Sequence, residues 1–233
     1  MRAQPGGFAK SADARVEACF KSGRQIHVQK GQYIIRGEDE PQGVYYLSSG
    51  LIRAFGINQR GEEYTFAIIA PGEAFPLNWL TEKINRQIFF QALTTGELYL
   101  LSREDVLRQA QADGLFCYGL LHKALDDVGL LIDRIDNLEY KYASERLAYR
   151  LLFLAKRFGE KQPDGSYLIR VPLSQQIIAS SINASRESVN REFERLQQKG
   201  YVRFSGPLIS ITDIEALKHM FPVPLSPNWW GME

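Results

Sequence analysis

Residues 24–101 alternate between short apolar runs and turns that contain glycine or proline. Between Gly31 and Gly72, a glycine recurs about every 5–11 residues. Short strands separated at this spacing predict a β-sandwich or barrel. Within this region, residues 58–63 predict a hairpin tip in which Gly61 supplies a positive φ. Ser102, followed by REDVLRQA, predicts the N-cap of a short helix.

A heptad pattern follows and predicts one long helix over residues 113–142. Its apolar positions recur at steps of three and four, and we call them the heptad seam: Tyr118, Leu121, Leu125, Val128, Ile132 and Ile135. The pattern extends to Tyr142, and a second apolar stripe contains Leu120, Leu131 and Leu138. We expect the seam to pair with a second copy of the chain and the stripe to pack on the β region. The alternative is a monomer in which the helix is buried on both faces.

Residues 143–220 predict three helices and a β wing. The segment SERLAYRLLFLAKRFG is amphipathic and ends at Gly159, a typical C-cap. The segment PDGSYLIRVPLS predicts a turn and a strand, and GYVRFSGPLISIT predicts a hairpin. We expect the boundary between the β region and these helices near residues 137–143. Residues 221–233 include Trp229 and Trp230, and the sequence allows either a disordered tail or one that docks on the body.

Two of these helices meet at a short turn. Residues 174–182 predict the first helix, whose inward-facing residues are Ile178, Ala179 and Ile182. Asn183 lies at the turn, where asparagine tolerates a left-handed backbone better than other non-glycine residues. Ser185 is the expected N-cap of the second helix, with Ser188 at its third position. The buried face of that helix is expected to contain Val189, Phe193 and Leu196.

The opposite face of the second helix contains polar residues suited to DNA. Arginine pairs bidentately with guanine, and glutamate accepts a hydrogen bond from cytosine. Residues 170–205 contain six basic and three acidic residues, a local net charge of +3 that suits phosphates. The candidate DNA-contacting residues are Gln175, Ser185, Arg186, Glu187, Ser188, Asn190, Arg191 and Lys199. The alternative is an ordinary amphipathic helix pair with a solvated charged face.

The segment LSQQIIASSINASRESVNREFERLQQKGYV resembles the winged helix-turn-helix of the Crp/Fnr transcription regulators. The order of the three regions is also that family's order, and the resemblance covers roughly residues 20–217. It implies an α+β fold with a cyclic-nucleotide-binding-like β-barrel (jelly roll) as sensor domain at 1–112. A dimerisation helix at 113–142, a winged helix-turn-helix DNA-binding domain at 143–220 and a tail at 221–233 follow. It further implies a homodimer in the bacterial cytoplasm that binds double-stranded DNA and RNA polymerase.

In that family, the positions that match Arg186, Glu187 and Arg191 contact bases. Family members with arginine and glutamate at the positions of Arg186 and Glu187 recognise a palindromic site of TGTGA-type half-sites. Asn183 stands where the family usually has glycine, and Asn190 stands where a small residue is usual. Ile177 occupies a position at which a polar residue is common.

The resemblance also bears on the ligand. Nucleotide-binding members have a Gly-Glu-Leu turn followed by an Arg-Ser or Arg-Thr pair, which hold a buried phosphate. Here Gln87 lies where that arginine is expected, and Arg86 is offset by one residue, which in a strand reverses the side chain's direction. The family's Thr-Ser pair that contacts the purine matches Leu131 and Ile132. These departures argue against cyclic AMP and predict a degenerate pocket whose candidate ligand residues are Glu73, Phe75, Trp79, Arg86, Gln87, Leu131 and Ile132.

The sequence also bears on the other kinds of effector that the β region could sense. Phe75, Trp79, Phe89 and Tyr64 are either core or the lining of a pocket for an apolar or aromatic ligand. Activity without any effector is equally open. An iron–sulfur cluster needs about four cysteine ligands, whereas the chain has two cysteines, Cys19 and Cys117. Cys117 is either a redox switch or, more commonly, a buried structural thiol. The three histidines lie in separate regions, which argues against haem: His27, His122 and His219.

Composition and the absence of known motifs narrow the classes of function that the chain could have. With a net charge of +1 the chain is not a polycation, so any DNA surface must be local. The first twenty residues lack the apolar core of a signal peptide, and no run is long enough to span a membrane. The common catalytic motifs and metal-ligand motifs are absent, so we expect no enzyme and no metal site. The rival hypotheses are a regulatory module that binds an effector without DNA, and a barrel that mainly docks a protein.

Overall fold

The computed structural model describes residues 5–81 and 88–220, with side chains from residue 8. The chain divides into two compact units, Met1–Ile132 and Asp133–Glu233. The division falls inside a long helix, a few residues before the interval in which the sequence predicts the domain boundary.

Antiparallel strands form the body of the described part of the first unit. They are β1 (Arg24–Val28), β2 (Tyr33–Ile35), β3 (Val44–Ser49), β4 (Ile52–Ile57), β5 (Glu63–Ile69), β6 (Ala74–Phe75), β7 (Ile88–Ala92) and β8 (Gly96–Leu101). One sheet has the order β1-β8-β3-β6 and the other β2-β7-β4-β5. Apolar residues from both sheets share one core. The predicted jelly roll is therefore confirmed, as two facing sheets and not as a closed ring.

Local turn and cap chemistry sets the ends of these elements. Gly61 has a φ of 77° in the turn between β4 and β5, as its position in the predicted hairpin requires. The hydroxyl of Ser102 accepts a hydrogen bond from the backbone N–H of Asp105 at 3.1 Å. This bond caps the helix that follows β8, so both local predictions are confirmed.

Helices pack against the outside of this body. They are α1 (Pro5–Lys21), α2 (Arg103–Ala112) and α3 (Gly114–Glu139), and a 3-10 helix spans Leu77–Leu80. The sequence pattern did not predict α1, although its buried residues Ala12, Val16 and Phe20 recur every four positions. Gly119 lets α1 approach α3 closely, because a Cβ there would lie 2.5 Å from Cγ2 of Val16.

The heptad seam lies on the exposed side of α3. Its six residues are between 37% and 60% exposed on the single chain, so the helix is not buried on both faces. Leu120 of the second stripe packs in the core beside Val106, whereas Leu131 is exposed. The helix ends at Glu139, and Tyr142 is the N-cap of the next helix. The prediction that Tyr142 continues the helix is therefore wrong.

The second unit combines helices with a small sheet. Its described elements after α3 are α4 (Ala143–Phe158), β9 (Gly159–Lys161), β10 (Tyr167–Ile169), α5 (Gln175–Ser181), α6 (Arg186–Gln198), β11 (Val202–Ser205), β12 (Leu208–Ile211) and α7 (Ile214–Lys218). The sheet has the order β11-β12-β10-β9, so the wing hairpin continues into the two strands that precede α5. Gly159 is the C-cap of α4, as predicted.

Across the described ranges, every helix is too short or too polar to serve as a membrane span.

Candidate nucleic-acid interface

Two capped helices form the candidate interface. The hydroxyl of Ser174 accepts from the backbone N–H of Ile177 at 3.2 Å, and that of Ser185 accepts from Ser188 at 3.1 Å. Asn183, between the helices, has a φ of 51°. Among described non-glycine residues, only Asn183 has a positive φ. The turn therefore depends on a left-handed residue, as the sequence predicted.

One face of α6 packs into the unit. Val189, Phe193 and Leu196 are at most 2% exposed, and Ile178 and Ile182 meet them from the α5 side with 1% or less. The ring of Phe193 packs edge-on against Phe204 of β11, with centroids 5.1 Å apart. This packing fixes which side of α6 faces outward.

The outward side presents most of the candidate DNA-contacting residues. Five of them are exposed: Ser185, Arg186, Glu187, Arg191 and Lys199. The other three are partly buried: Gln175, Ser188 and Asn190. Those numbered 185–191 lie at the N-terminal end of α6, Gln175 begins α5, and Lys199 follows the end of α6.

Hydrogen bonds organise this surface locally. The carboxylate of Glu187 accepts from its own backbone N–H and from Ser185, which holds the pKa of Glu187 below its usual value. Nearby Arg186 and Arg191 add to the effect, so Glu187 is a charged acceptor at neutral pH. Asn190 donates from Nδ2 to Glu194, one turn further along α6, at 2.9 Å.

The basic patch is smaller than its sequence count suggests. Arg170 pairs with Glu160 at 2.5 Å, and Arg203 pairs with Asp164 at 2.6 Å. Both carboxylates lie outside residues 170–205, so the count of +3 misses them. Lys199 lies 5.6 Å from the centre of the Tyr201 ring. With these two carboxylates counted, six basic residues face five acidic ones, so the net charge of this surface falls from +3 to +1.

An ion pair also ties the wing to the neighbouring turn. Asp164 accepts from the backbone N–H of Ser166 at 3.0 Å and from its hydroxyl at 2.6 Å, besides pairing with Arg203 of β11. These donors lower the pKa of Asp164 to about 2. The pair therefore stays ionised at neutral pH and links β11 to the turn between β9 and β10.

The aromatic residues proposed as a pocket in the first unit do not meet in one. Phe75 stacks on Tyr45 and Phe90 at centroid distances of 5.6 and 4.9 Å and is 4% exposed. Phe89 precedes Phe90 on β7, and its side chain points to the opposite face of the strand. There its ring stacks on that of Phe55, with centroids 5.1 Å apart.

Tyr64 lies elsewhere again. Its ring covers Gly56 so closely that a Cβ at that glycine would lie 2.4 Å from the ring. Of the two roles that the sequence leaves open for these aromatic residues, core packing describes Phe75, and the described contacts do not bring Phe75, Phe89 and Tyr64 into one pocket.

Trp79 instead lines a different cavity of about 570 Å³. The other lining residues are Glu40, Pro41, Gln42, Thr81, Arg103 and Glu104. Arg103 donates to the backbone carbonyls of Trp79 and Leu80 at 2.9 and 3.0 Å. Its guanidinium thus holds the 3-10 helix against the start of α2.

The other candidate ligand residues that the structure describes are Glu73, Leu131 and Ile132. Glu73 accepts from the backbone N–H of Ala70 at 3.0 Å, which closes a turn. Leu131 and Ile132 are exposed apolar side chains on α3, so they supply no partner for a purine edge. Arg86 and Gln87, like Trp229 and Trp230, lie outside the described residues.

The candidate metal ligands and the two cysteines lie apart from one another in the part of the chain that the structure describes. No group of three or more His, Cys, Asp or Glu side chains there is placed to hold a metal ion. Cys117 is exposed on α3, which corrects the expectation that it is buried, and Cys19 is partly buried on α1. His27 lies on β1 with its side chain largely exposed, 3.8 Å from Glu97.

Sequence reasoning missed two arginines near the turn. Arg134 donates to the backbone carbonyl of Ser181, and Arg146 donates to those of Tyr140, Lys141 and Asn183. Because every one of these acceptors is a backbone carbonyl, no pattern of side chains indicates the contacts.

Comparisons with known proteins agree with the division of the chain into two units. The model of the Crp-like helix-turn-helix domain matches residues 145–220, and that of the cyclic nucleotide-binding domain matches residues 25–113. The cyclic AMP receptor protein of Thermus thermophilus is 28% identical over 204 residues, 84% of this chain and 87% of that protein. The nitrogen fixation regulation protein FixK of Rhizobium meliloti is 26% identical over 219 residues, 94% and 90% of the two chains. The structure of FixK2 from Bradyrhizobium japonicum has the same fold, with a TM-score of 0.73 and 23% identity over 87% of this chain and 98% of that one.

Proposed function

Because the chain belongs to the Crp/Fnr family of DNA-binding transcription regulators, we propose that it binds a palindromic site with TGTGA-like half-sites as a homodimer. One observation carries this proposal: the capped N-terminal end of α6 presents Arg186, Glu187 and Arg191 together on its outward side. In a helix-turn-helix, these positions enter the major groove. The two arginines then contact guanines, and Glu187 accepts from the amino group of a cytosine.

The heptad seam supports the homodimer. Its residues are exposed apolar side chains that recur at heptad spacing along α3. Exposed apolar stripes of this kind are typical of a parallel coiled coil. Pairing two copies brings two recognition helices to one palindrome, where successive major grooves on one side of the duplex lie about 34 Å apart.

The control of this dimer differs from that of a cyclic AMP receptor. Two observations support this part of the proposal: Phe75 is packed as core, and the side chains of Leu131 and Ile132 offer no hydrogen bonds to a nucleotide. The protein therefore responds to another effector or to none. If an effector binds the first unit, it acts by a population shift that re-aims the recognition helices. RNA polymerase is the further partner expected of a transcription regulator.

Replacement of Arg186 by alanine tests base contact directly. We expect the Arg186→Ala variant to lose about 1–3 kcal/mol of binding free energy at one guanine, or roughly 5- to 150-fold in Kd. Specificity should relax at that base pair alone. Binding to the palindrome and to all single-base variants is measured at one salt concentration, because phosphate contacts depend on salt.

Arg195→Ala is the matched control, since it removes the same charge from the same helix, four residues after Arg191. It should weaken binding to every sequence alike. If Arg186→Ala likewise lowers affinity by the same factor for every duplex, Arg186 contacts phosphate only and the proposed base contact is wrong.

A further inference from the structure

Arg146 connects the segment after α3 to the turn before α6. Its Nη1 donates to the carbonyl oxygens of Tyr140 and Lys141 at 2.9 and 3.2 Å. Its Nη2 donates to the carbonyl oxygen of Asn183 at 3.5 Å. One planar guanidinium therefore bridges two backbone segments 42–43 residues apart in sequence.

Arg134 makes a second connection from α3 itself. Its Nη1 donates to the carbonyl oxygen of Ser181 at 2.5 Å, at the C-terminal end of α5. Ser181 and Asn183 flank Ile182, so both arginines donate hydrogen bonds to the same short stretch of backbone. That stretch leads through Ala184 into the N-cap of α6, and its direction sets the direction of the recognition helix.

Asn137 fixes the start of this arrangement. It is 3% exposed on α3, and its Nδ2 donates to the carbonyl oxygen of Arg146 at 2.8 Å. This contact pairs the Nδ2 group of the buried amide, whose Oδ1 has no hydrogen-bond partner in the described structure, and it anchors the backbone of Arg146 to the last turns of α3. Arg134, Asn137 and Arg146 thus form one connection from α3 to the turn, which we call the arginine bridge.

We propose that Arg146 and Arg134 are positioning residues that make the orientation of α6 follow the direction of α3. The inference rests on the proposed function and deepens it, because it names how dimerisation through α3 sets the separation of two recognition helices. Neither arginine needs to touch DNA for this role. A lysine cannot replace Arg146, because its single ammonium lacks the planar fork that reaches both segments at once.

The spacing between half-sites tests the arginine bridge. Wild-type protein, Arg146→Lys and Arg146→Gln are titrated with TGTGA and TCACA half-sites separated by five, six or seven base pairs. We expect the wild type to prefer six, and each variant to lose about 2- to 30-fold of that preference, the range for residues that couple distant sites. Discrimination between bases within a half-site should stay within about twofold of wild type.

Control variants separate positioning from folding. Arg60→Gln removes one charge at the exposed hairpin tip between β4 and β5 and should leave spacer preference unchanged. Thermal melting verifies that each variant is folded. Arg134→Lys serves as the second test if Arg146 variants do not fold, and it should weaken spacer preference in the same direction.

Two outcomes would overturn the inference. One is a folded Arg146 variant that keeps the full wild-type spacer preference. The other is a variant that loses base discrimination as much as spacer preference, which indicates general damage to the domain. A wild-type protein that ignores half-site sequence would instead contradict the proposed function, so the two failures are distinguishable.

Discussion

The helix-turn-helix and the jelly roll differ in what occupies the positions where a partner would bind. On α6, Arg186 and Glu187 extend outward from a rigid, capped helix whose other face is buried. In the first unit, Phe75 of the jelly roll stacks within the core, and Leu131 and Ile132 on α3 are apolar. Both regions keep their fold, and the described residues present polar groups suited to the family's ligand on α6.

This difference follows from what each region needs in order to fold. The two sheets are held by apolar residues that alternate inward, and their packing does not depend on a ligand. Cyclic-nucleotide contacts can therefore be lost without loss of the jelly roll. In the helix-turn-helix, by contrast, Ser185 caps the recognition helix at the end that would contact DNA. Ser185 therefore both stabilises the helix and lies at the proposed DNA contact.

The largest expected effect tests whether Phe75 is core or pocket. Phe75→Ala should lower the free energy of unfolding by about 3–5 kcal/mol, because it leaves a cavity between Tyr45 and Phe90. Chemical denaturation measures this change. Phe8→Ala, at a phenylalanine that is 47% exposed, should have a much smaller effect. A nearly neutral Phe75→Ala would mean that the ring lines an open ligand site.

The next effect concerns the helix that joins the two regions. Leu125→Asp places a charge on the seam where leucine is 60% exposed, and it should weaken dimerisation by at least about 30-fold. Analytical ultracentrifugation measures the dimer constant, and affinity for the palindrome should fall with it. Asp126→Asn, at the neighbouring exposed position, should leave the dimer intact. A monomeric wild-type protein that binds the palindrome tightly would rule out this role of the seam.

A smaller effect is expected at the cap of the recognition helix. Ser185→Ala removes the acceptor for the Ser188 N–H and should cost about 1 kcal/mol of stability, with weaker DNA binding. Ser185→Asn keeps an N-cap acceptor and should restore the stability. Thermal melting compares the three proteins. If alanine and asparagine variants melt alike, the cap does not stabilise α6.

The smallest effect is a pH dependence at the wing. Because the pKa of folded Asp164 is lowered to about 2, its pairing stabilises the protein above about pH 4 and is lost as pH falls towards 2. Asp164→Asn should therefore melt below wild type at neutral pH, and the gap should close under acid. A gap that is constant from pH 6 to pH 2 would show that ionisation of Asp164 is not involved.

Local patterns predicted the recognition elements because each depends on neighbours in sequence. Asn183 and Ser185 act within one turn, and the buried face of α6 follows from helical spacing alone. The end of α3 could not be predicted in this way. The heptad pattern continues to Tyr142, but Arg146 takes the carbonyls of Tyr140 and Lys141, and Glu145 accepts from the N–H of Tyr142 at 3.0 Å. These contacts end one helix and begin the next.

The candidate ligand site was less predictable because its residues come from several different elements, including β6, the 3-10 helix and α3. Phe75 and Phe89 look equivalent in a list of aromatic residues, but Phe89 and Phe90 point to opposite faces of β7. Period-two alternation could have separated them. The contacts of Arg146 are different, because backbone acceptors leave no trace in the sequence.

One titration tests the central contrast most directly. The purified protein is titrated with a labelled TGTGA-N6-TCACA duplex and a scrambled duplex at equal salt, with and without cyclic AMP. The account predicts that any selectivity for the palindrome is the same with and without the nucleotide. Selective binding that appears only with cyclic AMP would show that the jelly roll retains its family's ligand site and would contradict the account.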